Sequence, residues 1–156
     1  MSSELSPLAA QIDADLKQAM RNQDNITKLA LRAVKTALTE ATKTGKAGDA
    51  NLNDEQVMAV IQREAKRRRE AAAEYDKVSA TASAEQERAE LTVLEKYLPR
   101  QLTEAEVETL ARTVIAETGA TSVRDLNKVM PVMVQRVAGA ADGKLVSGVV
   151  RRLLGA

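Results

Sequence analysis

The chain of 156 residues has no cysteine, histidine, phenylalanine or tryptophan, and only two tyrosines. Each absence removes a class of chemistry. Without cysteine there is neither a disulfide nor a thiolate metal site. Without histidine the commonest general base and the commonest transition-metal ligand are gone, and Ser-His-Asp and Cys-His catalysis are excluded. With so few aromatic rings the core must come from Leu, Val, Ile, Met and Ala. That suits thin, closely packed helices and suits poorly a fold that stacks unpaired bases on rings. The net charge is only +1, so attraction to a polyanion must come from local clustering. No stretch approaches the roughly 20 apolar residues of a membrane helix. The opening MSSELSPLAAQ carries Glu4 and no early basic residue, unlike a secretory signal. The expected location is the cytoplasm, and no metal or cofactor is expected.

What is present is helical periodicity, with 44% hydrophobic and 29% charged residues in the proportions of a globular chain. Ser6 and Pro7 form a helix start, a cap followed by proline at the first helical position. Leu8, Ile12, Leu16, Ala19 and Met20 follow at helical spacing. A second helix carries Ile26, Leu29, Ala30, Val34, Ala37 and Leu38, and residues 45–51 read as a polar loop. Asn53, with Gln56 three residues on, opens a third helix whose apolar stripe is Val57, Met58, Ile61, Ala65, Ala72 and Tyr75. A fourth carries Ala89, Leu91, Val93, Leu94 and Leu98.

Pro99 stops this series, since it cannot continue a helix and biases Leu98 towards extended geometry. Thr103 with Glu106 is a capping box opening a helix with Val107, Leu110, Val114 and Ile115, and Gly119 stands where a helix-ending glycine belongs. Ser122 starts the next helix, inside which Pro131 is expected to produce a kink or a split. Asp142 caps the last. No long alternating strand pattern occurs. The expected fold is therefore all-α. Residues 1–99 form a four-helix bundle-like domain, and residues 100–156 a small three-helix domain expected to lean on the first for stability.

Two basic clusters are candidates for function. Lys66-Arg67-Arg68-Arg69 wraps about 300° of a helix, so its members cannot share one face. Arg68 falls in line with Ile61, Ala65 and Ala72 and is expected to lie along Tyr75 or reach a carboxylate on the fourth helix. Arg67 and Arg69 are expected to pair with Glu64, Glu70 or Glu74. A structural role is favoured over a phosphate contact. The second cluster lies in residues 119–156, where six cations stand against two acids, a net of +4. Lys128, Arg136, Lys144, Arg151 and Arg152 are too widely spaced for one helix face and converge only if the helices fold back on each other. Such a module is a plausible footprint for a nucleic acid. The bland alternative is an arginine-rich solvated surface. Carboxylates such as Glu104, Glu106 and Glu108 sit at a helix start, where they complement the dipole, and nothing marks them as catalytic.

An ordered set of motifs also resembles a known family. It comprises Lys128-Val129-Met130, then Ala141-Asp142-Gly143-Lys144-Leu145-Val146, then Val149, Val150 and Leu153. Upstream come Glu64-Ala65-Lys66-Arg67-Arg68-Arg69-Glu70 and Glu95-Lys96-Tyr97-Leu98-Pro99-Arg100-Gln101-Leu102. From about Leu16 to Leu154 the chain is similar to the GatB/YqeY family, in particular to its small stand-alone YqeY-like members. The resemblance implies kinship with the tail domain of the glutamyl-tRNA amidotransferase B subunit, which contacts tRNA by shape and backbone. It would place tRNA against Lys128, Gly143 and Lys144, with Gly143 beside the cap, where helix-start N–H groups can meet a phosphate. The Asp142 carboxylate competes for those donors. The chain departs from the family pattern at Asn127, Pro131 and Ala140, the last where relatives commonly carry arginine. The kinase-like catalytic domain of the amidotransferase has no counterpart here, and there is no Gly-rich phosphate loop. The expected function is that of a non-catalytic tRNA-binding accessory protein. The alternative is an adaptor that docks to a larger tRNA-modifying or amidotransferase protein through amphipathic helices and Met58, Met130 and Met133.

Overall fold

The structure, a computed structural model, describes residues 4–44 and 51–155. Of the polar loop expected over 45–51, all but Asn51 lies outside the described residues. The described residues contain seven α-helices and one short 3-10 turn, and no strand, so the fold is all-α. The chain divides into two compact units, Met1–Leu98 and Pro99–Ala156.

The first unit holds α1 (Pro7–Arg21), α2 (Asn25–Thr44), α3 (Asp54–Lys77) and α4 (Thr81–Glu95). Local chemistry sets the helix starts. The Ser6 hydroxyl accepts from the Ala9 N–H at 3.1 Å. Asn53 and Gln56 form a reciprocal capping box. α4 begins without a side-chain cap, at Ala80. α3 and α4 make the most extensive pairing, a hairpin on which α2 packs. The core joins Ile12 and Leu16 to Ala30, Leu31, Val34, Val57, Ile61, Val93 and Leu94. Half-buried Tyr97 donates its hydroxyl to Asp15, tying the end of α4 to α1. Burial first, and then that carboxylate, push the phenol above its ordinary pKa. The other tyrosine, Tyr75, does not join the apolar stripe expected of it. It is 40% exposed near the hairpin tip, beside Val78 at 73%.

The second unit holds α5 (Glu104–Thr118), the 3-10 turn Val123–Asp125, α6 (Leu126–Val137) and α7 (Gly143–Leu153). Thr103 and Glu106 complete a capping box, and Gly119 ends α5 in the left-handed region at φ 69°. Pro131 does not split α6, which runs through it as one helix. Proline leaves the Asn127 carbonyl without its helical donor. Both residues lie on the exposed side, where water can serve that carbonyl. The core is largely valine: Val107, Val114, Val129, Val137, Val146, Val149 and Val150 close around Ala111 and Met133. Each fully buried valine stabilises by about 1.5–3 kcal/mol, and such short side chains let the three helices pack closely. The loop before α5 is pinned to the α6–α7 turn, the Leu102 N–H donating to the Ala140 carbonyl at 2.7 Å. No helix among the described residues is long and apolar enough to cross a membrane.

Candidate nucleic-acid interface

The sequence of α7, GKLVSGVVRRL, contains no acidic residue. Its apolar positions fall on one side, so Val146, Val149 and Val150 are buried and Leu153 is half-buried. At about 100° per residue, Lys144, Gly148, Arg151 and Arg152 share a sector about 100° wide on the opposite side, and all four are exposed. Asp142 caps the helix by accepting from the Lys144 N–H at 3.2 Å.

The cations of this unit are not equally available. Arg152 reaches back to α5, pairing with Glu104 at 3.2 Å and Glu108 at 2.9 Å. Arg136 pairs with Glu117 at 2.5 Å, and Lys128 with Asp125 at 3.4 Å. Arg151 makes no ion pair among the described residues, and neither does Arg124. These partners also shift the acids. The Arg112 hydrogen bond, and then the charge of Arg152, hold Glu108 below its usual pKa. Backbone donation from Thr121, and then Lys128, does the same for Asp125. Arg100 and the Thr103 N–H lower Glu106.

The residues marked out in the sequence therefore do not all converge. Glu104 and Glu108 stand in the first turns of α5 and Glu117 in its last. About 1.5 Å of rise per residue separates the tips of Arg152 and Arg136 by much of a helix length. Lys128 sits in the first turn of α6 and Gly143 in the first turn of α7. What the fold does assemble is the outer face of α7, with Lys144, Arg151 and Arg152. Gly148, on the same face, was missed in the sequence, although its spacing from the three cations was the signal. The acids of α5 were missed as partners. Counted over Pro99–Ala156, eight cations stand against six acids, a net of +2, where the shorter segment 119–156 gave +4.

The cluster at 66–69 belongs to the first unit and does a different job. Arg68 is buried against α4, bonded to Glu64 at 2.8 Å and 3.4 Å from Glu90, with all three side chains buried. Its Nε–H lies near the Glu90 carboxylate without hydrogen-bond alignment. Arg67 pairs with Glu64, as expected, and Arg69 with Glu95 on α4. A groove of about 750 Å³ runs beside them between α2, α3 and α4. Its lining mixes Arg63, Arg67 and Arg68 with Glu40, Glu64, Glu87 and Glu90, a balance of sign that does not attract a polyanion.

A family model for Yqey-like proteins matches residues 9–154. The chain belongs to the Yqey-like family. The match runs through both compact units, so this Yqey-like protein carries the charged hairpin of α3 and α4 and the basic face of α7 within one family unit. No curated protein matches the chain.

Proposed function

We propose that this Yqey-like protein is a non-catalytic accessory protein of the cytoplasm that binds structured RNA, tRNA above all, through the outer face of α7. The observation that carries this reading is a helix face with three cations, no carboxylate on the helix itself, and an Arg151 without an ion pair among the described residues. Such a face meets phosphates and reads shape. Both tyrosines lie in the first unit, so the second has no ring on which to stack a base. The resemblance to the amidotransferase tail domain supports tRNA as the RNA in question, and the catalytic role of that enzyme does not come with it. Reversing Lys144 and Arg151 together to glutamate is expected to weaken tRNA binding at least about tenfold and to flatten the slope of log affinity against log salt by about two. Fluorescence anisotropy with tRNA across a salt series reads both, and unchanged binding would sink the assignment.

A second reading, docking to a partner protein, draws on exposed Tyr75 and Val78 beside the α3–α4 turn. The methionines give it little support, because Met133 is fully buried in the core of the second unit and Met58 and Met130 are half-buried.

A further inference from the structure

Gly148 stands exposed in the middle of α7. Glycine is the poorest helix former after proline, so a glycine here needs a reason. One common reason is a backbone angle that other residues resist, as at Gly119 with its φ of 69°. Gly148 is helical and has no positive φ. A second reason is a neighbour within the fold that leaves no room for a side chain. A Cβ built at Gly148 meets nothing within 4 Å. Neither the backbone nor the packing of this unit asks for glycine. The reason that remains is close approach of something from outside.

The surroundings say what that is. Lys144 and Arg152 lie one turn to either side of Gly148, and Arg151 borders it on the same sector. Long cationic side chains therefore frame a strip of bare helix backbone, with no acid on the helix between them. We infer that Gly148 is a positioning residue for a phosphodiester backbone. It lets one sugar–phosphate unit of the bound RNA settle against the main chain of α7 while Lys144 and Arg151 close over the phosphate from both sides. This inference rests on the RNA-binding reading above and adds the point of contact. The cations supply the attraction, and the missing side chain sets how near the strand can come.

The test separates steric fit from charge. Wild type, Gly148→Ala and Gly148→Leu are titrated against unfractionated tRNA by fluorescence anisotropy across a salt series, with thermal melting of each protein recorded alongside. Alanine favours the helix, so Gly148→Ala is expected to melt no lower than wild type. Its affinity for tRNA is expected to fall about tenfold, the scale of one lost charge-assisted contact, and Gly148→Leu is expected to fall further. The salt slope should stay at the wild-type value, because no charge has been removed. Wild-type affinity in both variants would overturn the role of Gly148 and leave the RNA-binding reading standing. A wild-type protein that does not bind tRNA even at low salt would overturn that reading, and this inference with it.

Discussion

The two units of this Yqey-like protein handle charge in opposite ways. The first buries a guanidinium between two carboxylates, with Glu64, Arg68 and Glu90 all buried where α3 meets α4. The second buries no charged side chain among its described residues and keeps its ion pairs at the surface. The difference teaches that a dense run of arginines is a poor guide to a binding face. In the contiguous run at 66–69, Arg68 and Arg69 are spent on pairing α3 with α4 and Arg67 on a carboxylate of its own helix. The cations of α7 are scattered in sequence, yet helical spacing gathers them on one side.

The sharpest way to break this comparison is to remove one arginine from each unit. Arg68→Met leaves two buried carboxylates without their shared counter-charge and is expected to destabilise the first unit by about 3–5 kcal/mol. Arg136→Met breaks an exposed pair and is expected to change stability by less than about 1 kcal/mol. Urea unfolding of both variants checks the contrast, and equal losses would erase it. Replacing Glu64, Arg68 and Glu90 together by apolar residues of similar size should restore much of the loss, since a buried triad contributes little net stability over good packing.

A smaller effect should come from the acids that hold Arg152. Glu104→Gln with Glu108→Gln releases that guanidinium and removes two negative charges near α7. Binding of tRNA is expected to tighten a few-fold, most visibly at low salt, where the screening length is longest. Anisotropy titrations at low and high salt measure it, and weaker binding would mean that the two glutamates help to shape the face.

The smallest effect is that of pH. Glu106, Glu108 and Asp125 in the second unit, and Asp24 and Asp76 in the first, have pKa values lowered in the fold. A depressed carboxylate contributes stability above its unfolded pKa of about 4 and loses it as pH falls through the lower folded value. Stability should therefore stay level from neutral pH down to about 5 and decline below about 4. The chain has no histidine to titrate between. Melting temperature against pH tests this, and a step near pH 6.5 would contradict it.

Much of the fold was legible because its signals are local. The cap at Ser6, the two capping boxes, the Asp142 cap and the closing Gly119 each act within about one turn of helix, and each stands where the sequence put it. Core positions were legible where periodicity is strict, as at Ile12, Leu16, Val57 and Ile61. They were missed where a neighbouring helix decides. Leu31 is buried while Leu29 is 44% exposed, because α2 turns a slightly different side to its partners. Pro131 was expected to kink or split its helix because the sequence does not show that this position faces solvent, and the split does not occur. The candidate face was legible only in part. The cations of α7 could be named, but their pairing with α5 depends on how the helices fold back, which no local signal carries. Arg68 reached a fourth-helix carboxylate as expected, since its place on the apolar stripe left few other ways to satisfy a buried charge.

The placement of the two tyrosines has a practical consequence. Tyr97 on its Asp15 and Tyr75 near the hairpin tip are the only near-ultraviolet chromophores of the protein, and both belong to the first unit. Tyrosine emission therefore follows the first unit alone, and the second is optically dark. A single tryptophan introduced into α5 or α6 would report on that unit against an almost empty background. Melting of the two units, or the arrival of RNA at α7, could then be followed separately in one cuvette.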